Sequence, residues 1–375
     1  MNILIMDINP LANPKGSKLV CEICQLPAFV QCKHCKLTYY CSLEHQKADW
    51  IGIHEKICDK LAFLRQATPF LPSKEERDKR QSQVQSMKID LIEMSRTLAQ
   101  KMLFEGKHEL SVPAAMQSLR YSIEVYGVAT IELVPSYLVL GEACVGLGKL
   151  TEAEDYLAKA QWTVLKTTDC PRAIKSKLNR NLGLLYAAKG DFQESLVNFA
   201  DDIYHASEEF GTDSIRTSGG YFHMANVFFR QGKMEVADSL YRQVVNIWHD
   251  HLSDIIRKKV PSEEEAAKSR SRMIGPVKGL FEDISSGLDA AQDAEAIQIL
   301  SSIYDIREHQ ISRQAQDLTR TCHAMAMLYF VLGEIKKAKE FGRKAIVASD
   351  QVKDDDLSKS LVEFMKLCER QGPSS

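Results

Sequence analysis

Four glycines, Gly106, Gly148, Gly190 and Gly232, stand at a constant interval of 42 residues, and a fifth, Gly333, follows 101 residues later. A fixed period of this length marks a stacked repeat, in which each unit packs mainly on its neighbours. Around Gly148, Gly190 and Gly232 one frame recurs. Eight residues upstream stands Leu140, Leu182 or Met224, followed by a small residue, Gly141, Gly183 or Ala225. Five residues downstream stands Ala153, Ser195 or Ala237, and four further on Leu157, Phe199 or Tyr241. The last copy keeps Met325, Ala326, Tyr329, Ala338 and Ala345. The frame predicts two helices per unit, joined at a glycine where a positive φ costs little. The small residues let the two helices approach closely, and the larger ones fill the groove. One pair cannot bury its own apolar stripe, so pairs stack.

The copy at Gly106 departs from the frame, and its second helix is expected to start late, at Ser111-Val-Pro113, with proline at an early helical position. Between Gly232 and Gly333 a divergent unit with an insertion is expected near residues 264–310. Its first helix would begin at Glu263–Lys268 and its second would run from Ala294 to His309. The frame resembles the tetratricopeptide (TPR) repeat, in its long 42-residue variety found in motor light chains and other adaptors. That resemblance implies a mainly α fold, a TPR-like helical-hairpin solenoid.

Ahead of the repeats the cysteines cluster. Six of ten (Cys21, Cys24, Cys32, Cys35, Cys41, Cys58) fall within 38 residues, and Cys144, Cys170, Cys322 and Cys368 are scattered singly. The start of the chain has no basic n-region and carries Asp7, a poor signal peptide. An intracellular, reducing setting is therefore expected, where clustered thiols read as metal ligands. Two Cys-x-x-Cys turns, Cys21/Cys24 and Cys32/Cys35, each aim two thiolates at one ion. Cys41/His45 and His54/Cys58 are i,i+4 pairs able to share a helix face. Eight ligands suffice for two tetrahedral sites.

The order Cys-x2-Cys, Cys-x2-Cys, Tyr40-Cys41-Ser42, His45-Gln46-Lys47-Ala48-Asp49-Trp50 and His54-Glu-Lys-Ile-Cys58 resembles the MYND-type zinc finger. The resemblance implies two zinc ions with interleaved ligands: Cys21, Cys24, Cys41 and His45 on one, Cys32, Cys35, His54 and Cys58 on the other. His45 stands where many members have cysteine, and imidazole serves as well. His34, inside the second pair, is expected to face solvent, because the site is already full. Both sites take all four ligands from the protein, so they are structural rather than catalytic. A head of this size buries too little surface to fold without its metal.

MYND fingers of corepressor type hold proline-rich peptides of the form Pro-x-Leu-x-Pro against a Gln-x3-Trp segment. Gln46 and Trp50 match it, one helical turn apart, and the resemblance implies peptide binding there. Trp50 has a second reading, as part of the finger's own small core. Lys33, Lys36, Lys47, Lys56 and Lys60 are offset by Glu22, Glu44, Asp49, Glu55 and Asp59, and the formal charge of the whole chain is −2. Nucleic acid is thus not an expected partner. No stretch reaches the ~18 apolar residues of a membrane span.

The expected organisation is a tail at 1–18, the finger at 19–60, a linker and charged helix start at 61–88, and repeats at 89–372. Ser73 with Glu76 suggests a capping box at the helix start. SET-MYND lysine methyltransferases share the finger, but their Asn-His and Gly-Glu-Glu motifs are not found here, nor any P-loop or GxGxxG unit. His249-Asp250-His251 reads as the exposed end of a repeat helix, and Cys170 as an inert thiol. The expectation is a non-enzymatic scaffold or adaptor without a small-molecule substrate, binding protein partners through the TPR groove with the finger as second contact. Its expected setting is cytoplasmic, with a cytoskeletal or ciliary (flagellar) assembly suggested by the long TPR type. The alternative is a MYND-directed transcriptional cofactor in the nucleus.

Overall fold

Each of the five period-setting glycines adopts a positive φ, between 72° and 85°. A computed structural model describes residues 5–7, 19–66, 70–259, 289–309, 315–350 and 355–371 of the chain. In every turn the glycine follows a helix and starts the next within two residues. The N–H of Lys149 returns to Cys144 O at 2.9 Å, that of Lys107 to Met102 O at 2.8 Å and that of Lys233 to Phe228 O at 2.9 Å. These bonds satisfy carbonyls that the helix end would leave orphaned. The Gly106 turn is built like the rest, although its surrounding sequence diverges.

The finger opens the chain with a three-stranded antiparallel sheet in the order β1 (Ile5–Asp7), β2 (Val30–Cys32), β3 (Tyr39–Tyr40). Ile5 pairs with Cys32 and Val30 with Tyr40. Helix α1 (Leu43–Asp49) follows, capped by the Ser42 hydroxyl, which accepts the N–H of His45. A π-turn over Trp50–His54 joins it to α2 (Glu55–Arg65).

The helical hairpins then follow. They are α3 (Lys74–Phe104) with α4 (His108–Tyr126), and α5 (Val134–Gly146) with α6 (Leu150–Lys166). Helices α7 (Arg172–Lys189) and α8 (Phe192–Phe210) come next, then α9 (Ile215–Arg230) with α10 (Met234–Lys259). After them come α11 (Ala290–His309), α12 (Ala315–Val331) with α13 (Ile335–Ser349), and α14 (Asp355–Gln371). The chain divides into two units, Met1–Gly190 and Asp191–Ser375. No described helix is long and apolar enough to cross a membrane.

Within the first unit the frame works as read. A Cβ on Gly141 would meet Leu157 Cδ2 at 2.8 Å, so α5 and α6 touch where a side chain is missing. Leu140, Ala153 and Leu157 are buried beside it. The second unit closes around Trp248, Leu252, Tyr241, Ile299, Met325 and Leu328. Ala237, Ala326, Ala338 and Ala345, all small frame positions, are buried there.

Three local expectations need correction. Helix α4 starts at His108, three residues before the expected point, and Pro113 lies inside it. Helix α3 does begin after Ser73, but the Ser73 hydroxyl makes no capping hydrogen bond. His249-Asp250-His251 lies within α10, which runs on to Lys259, and is not its end. The His249 side chain is only 12 % exposed. Of the divergent repeat, α11 covers the expected second helix, while Glu263–Lys268 lies outside the described residues.

Candidate metal centre

Each Cys-x-x-Cys turn closes the same way. Gln25 N–H returns to Cys21 O and Lys36 N–H to Cys32 O, both at 3.0 Å. Gln25 and Lys36, directly after the second cysteine, take φ of 60° and 57°. This left-handed step curls the knuckle so that both thiols face inward, a conformation uncommon for residues with a Cβ. Helix α1 supplies His45 one turn after Cys41. The π-turn and α2 supply His54 and Cys58.

The ligand atoms gather in two groups, Cys21/Cys24/Cys41/His45 and Cys32/Cys35/His54/Cys58, each with all its donor atoms within 4.8 Å of one another. In the first group His45 Nδ1 lies 3.2 Å from Cys41 Sγ and 3.4 Å from Cys21 Sγ, with Cys24 and Cys41 sulfurs 3.5 Å apart. In the second, Cys35 Sγ is 3.6 Å from His54 Nε2 and Cys32 Sγ 4.0 Å from Cys58 Sγ. A tetrahedral ion with Zn–S bonds of about 2.3 Å sets its sulfurs about 3.8 Å apart. Both donor sets therefore fit zinc. The first is partly exposed and the second fully buried.

The thiols show why an ion belongs there. Hydrogen bonding between Cys32 and Cys35 draws the Cys35 thiol far down and pushes Cys32 far up, two sulfurs contending for one proton. Burial pushes both Cys58 and Cys41 up to about 11. A divalent cation lets all of them ionise at once.

Behind the second site lies a buried support. His54 turns Nε2 to the ligand cluster and Nδ1 toward Asp49 Oδ2 at 3.5 Å. Tyr40 donates to the same carboxylate oxygen at 2.6 Å. Burial pushes the Asp49 carboxyl up to about 6, against the pull of His54 and the Tyr40 hydrogen bond. A carboxylate behind a ligating imidazole orients the ring, here by charge, since His54 Nδ1 makes no hydrogen bond to it. Asp49 stood in the motif, but a sequence pattern does not say which ligand it backs.

Other residues fall as follows. His34 points outward, 57 % exposed, and meets Asp59 at 3.0 Å. Gln46 is 2 % exposed, its Oε1 without a hydrogen-bond partner, on a helix that packs against α4. Trp50 is half-buried, packs on the finger core and lies 5.7 Å from the His54 ring. The two keep the α-helical spacing, Trp50 N–H bonding to Gln46 O, but are not equally presented, because Gln46 is buried where α1 packs on α4 while Trp50 stays half-buried. Cys170 is buried, and burial raises its thiol above the ordinary value.

Sequence reasoning missed a part-buried ion pair that ties the finger to α4. Glu22, between two ligands, is 13 % exposed and accepts from Arg65 Nη2 at 2.6 Å and Nη1 at 3.2 Å. It also accepts from Arg120 Nη1, and Arg120 Nη2 donates to the Glu22 carbonyl at 2.9 Å. Arg65 reaches Leu37 O and Thr38 Oγ1 as well. Burial alone would raise the Glu22 carboxyl, but Arg65 and Arg120 overcome it and hold it below the usual carboxylate range.

A family model described as the MYND finger matches residues 21–58, and one for the tetratricopeptide repeat matches residues 134–161. Solved structures similar to the chain include nearly identical kinesin-light-chain TPR-like repeats from Podosopora anserina. There the identity is 16 %, covering 60 % of this chain and 100 % of that one, with a TM-score of 0.31. Another is BtubC (BKLC) from P. vanneervenii, at 14 % identity, covering 76 % of this chain and 94 % of that one, with a TM-score of 0.33. The chain carries a MYND zinc finger with two zinc sites, followed by a TPR-like helical-hairpin solenoid, both modules of a kind that serves protein–protein interaction.

Proposed function

We propose that this protein is a non-enzymatic adaptor whose helical repeats hold a partner segment while the finger makes a second contact. One observation carries the reading: each metal group is closed by four protein ligands, and the rest of the described chain is helices, most of them in hairpins, in each of its two units. A closed tetrahedral site leaves no position for a substrate or an activated water. Stacked hairpins, by contrast, offer extended surface. Exposed apolar side chains are present on both modules, Leu26 and Phe29 on the finger and Trp162 and Leu165 on α6. Two modest contacts on one chain reinforce each other through effective concentration.

The long TPR type supports a cytoplasmic setting within a cytoskeletal or ciliary assembly. Proximity labelling in ciliated cells, with the full chain beside a chain ending at Gly190, tests both points. The adaptor reading expects a defined protein set that shrinks on truncation, with axonemal or tubulin-associated neighbours. A set no different from free labelling enzyme removes it, and chromatin cofactors as neighbours would favour the nuclear alternative. The part-exposed Trp50 keeps that alternative testable at the finger. Titrating a Pro-x-Leu-x-Pro peptide against wild type and Trp50→Ala should separate the two affinities if Trp50 reads peptide, and identical curves remove that reading.

A further inference from the structure

The finger shares its interior with the first hairpins. Ile53, Ile57 and Leu61, each 1 % exposed, belong to one core with Leu91 of α3, Ala115 of α4 and Leu140 of α5. The same stretch carries His54 and Cys58, so a single helical segment contributes ligands to a metal site and apolar side chains to the helical core. At Gly52 the two modules meet backbone to backbone. A Cβ there would come within 2.8 Å of Leu110 O and 3.3 Å of two Pro113 carbons. The Pro113 ring, unexpected inside α4, is part of that seat. On the far side of the knuckle, Glu22 is bound by Arg120 of α4, 98 residues along the chain. The Gln46-bearing helix α1 packs on α4 too.

We propose that the finger is the metal-built N-terminal cap of the helical array. A stack of hairpins needs a terminal element that covers the apolar face of its first unit. Here that element is the segment Trp50–Arg65, and zinc at Cys32, Cys35, His54 and Cys58 holds it at the angle that closes α3, α4 and α5. The finger cannot hold this shape without its ions, because a module this small draws most of its folding energy from metal. Zinc occupancy is thereby read out in helices that carry no ligand. The cap also engages Gln46 within the fold.

Hydrogen exchange on the full chain tests this, followed by mass spectrometry with zinc bound and after chelation. Chelation should speed exchange in α3–α5 by about tenfold or more, the scale of losing a buried set of contacts, while α12 and α13 stay unchanged. Acceleration confined to residues 19–60 overturns the cap, and so does a uniform rise that includes α12 and α13. Arg120→Met provides an arm that touches no ligand. It should retain two zinc ions per chain by metal analysis yet raise α4 exchange with zinc bound by about tenfold, as expected for removing the one arginine that ties the part-buried Glu22 to α4 while Arg65 stays on it. Wild-type exchange in this variant also overturns the proposal.

Discussion

At Gly141 helix α5 closes on Leu157 of α6, and its missing side chain can be tested directly. Valine there would drive into Leu157, and overpacking of this kind costs about 1–3 kcal/mol. Denaturant unfolding of Gly141→Val should show that loss, whereas an unchanged midpoint would mean the hairpin can open without cost. A second residue-scale prediction lies in the second unit. His323, 1 % exposed on α12, sits 3.1 Å from His249 Nε2 through its Nδ1 and packs on Phe364, with Asp250 and Arg320 on the outer side of His249. Burial, reinforced by His249 and Arg320, pushes the His323 imidazole down to about 3. Its ordinary value in the unfolded chain is about 6.5. The unfolded chain therefore binds the extra proton, and the stability held by the neutral ring is full above pH ~6.5 and falls as pH drops toward ~3. The slope is about 1.4 kcal/mol per pH unit. Exchange in α12 should accelerate from pH 6.5 to 5, after correction for intrinsic rates, and His323→Gln should flatten that dependence. Equal slopes would assign the acid sensitivity elsewhere. Gly141 with Leu157 was legible in the sequence because both recur at the repeat interval. The His249–His323 pair was not, because the two come from helices 74 residues apart with no pattern linking them.

At the scale of elements, the knuckles and helices of the finger follow from ligand spacing alone, since each pair closes on itself. Their support does not. Gln46 and Trp50 keep their i,i+4 relation, but the packing of α1 on α4, which buries Gln46 alone, is invisible to that spacing. The early start of α4 leaves Pro113 inside the helix, where its ring lies against Gly52 of the finger, a contact no local pattern signals. Purified protein should contain about two zinc ions per chain. Cys35→Ser, in the fully buried site, should lose one ion and lower the thermal midpoint. The same change at Cys24, in the partly exposed site, should cost less. Midpoints that fall equally would show that burial does not rank the sites.

For the whole molecule, the constant interval of the glycines carried the architecture, because it reports turn chemistry and helix length together. What joins the finger to the helices was hidden by distance along the chain. Glu22 and Arg120 are ordinary charged residues in sequence, and only the fold makes them partners. The formal charge of −2 becomes more negative when six thiolates are offset by two divalent ions, so duplex DNA should show only weak, zinc-independent retention at low salt. Tight, salt-resistant binding would contradict that balance.

The Glu22–Arg120 contact also imposes an order on biosynthesis. A ribosome adds about 5–20 residues each second, so roughly 5–20 seconds separate the emergence of Glu22 from that of Arg120. Once Cys58 has emerged the finger has all its ligands, while α4, its helical seat, is still unfinished. Ions taken up in that window would enter a nascent finger whose Glu22 carboxylate has Arg65 but not yet Arg120, with docking on α4 a later event. A cell short of zinc during translation would commit the chain to helices that close without their first element.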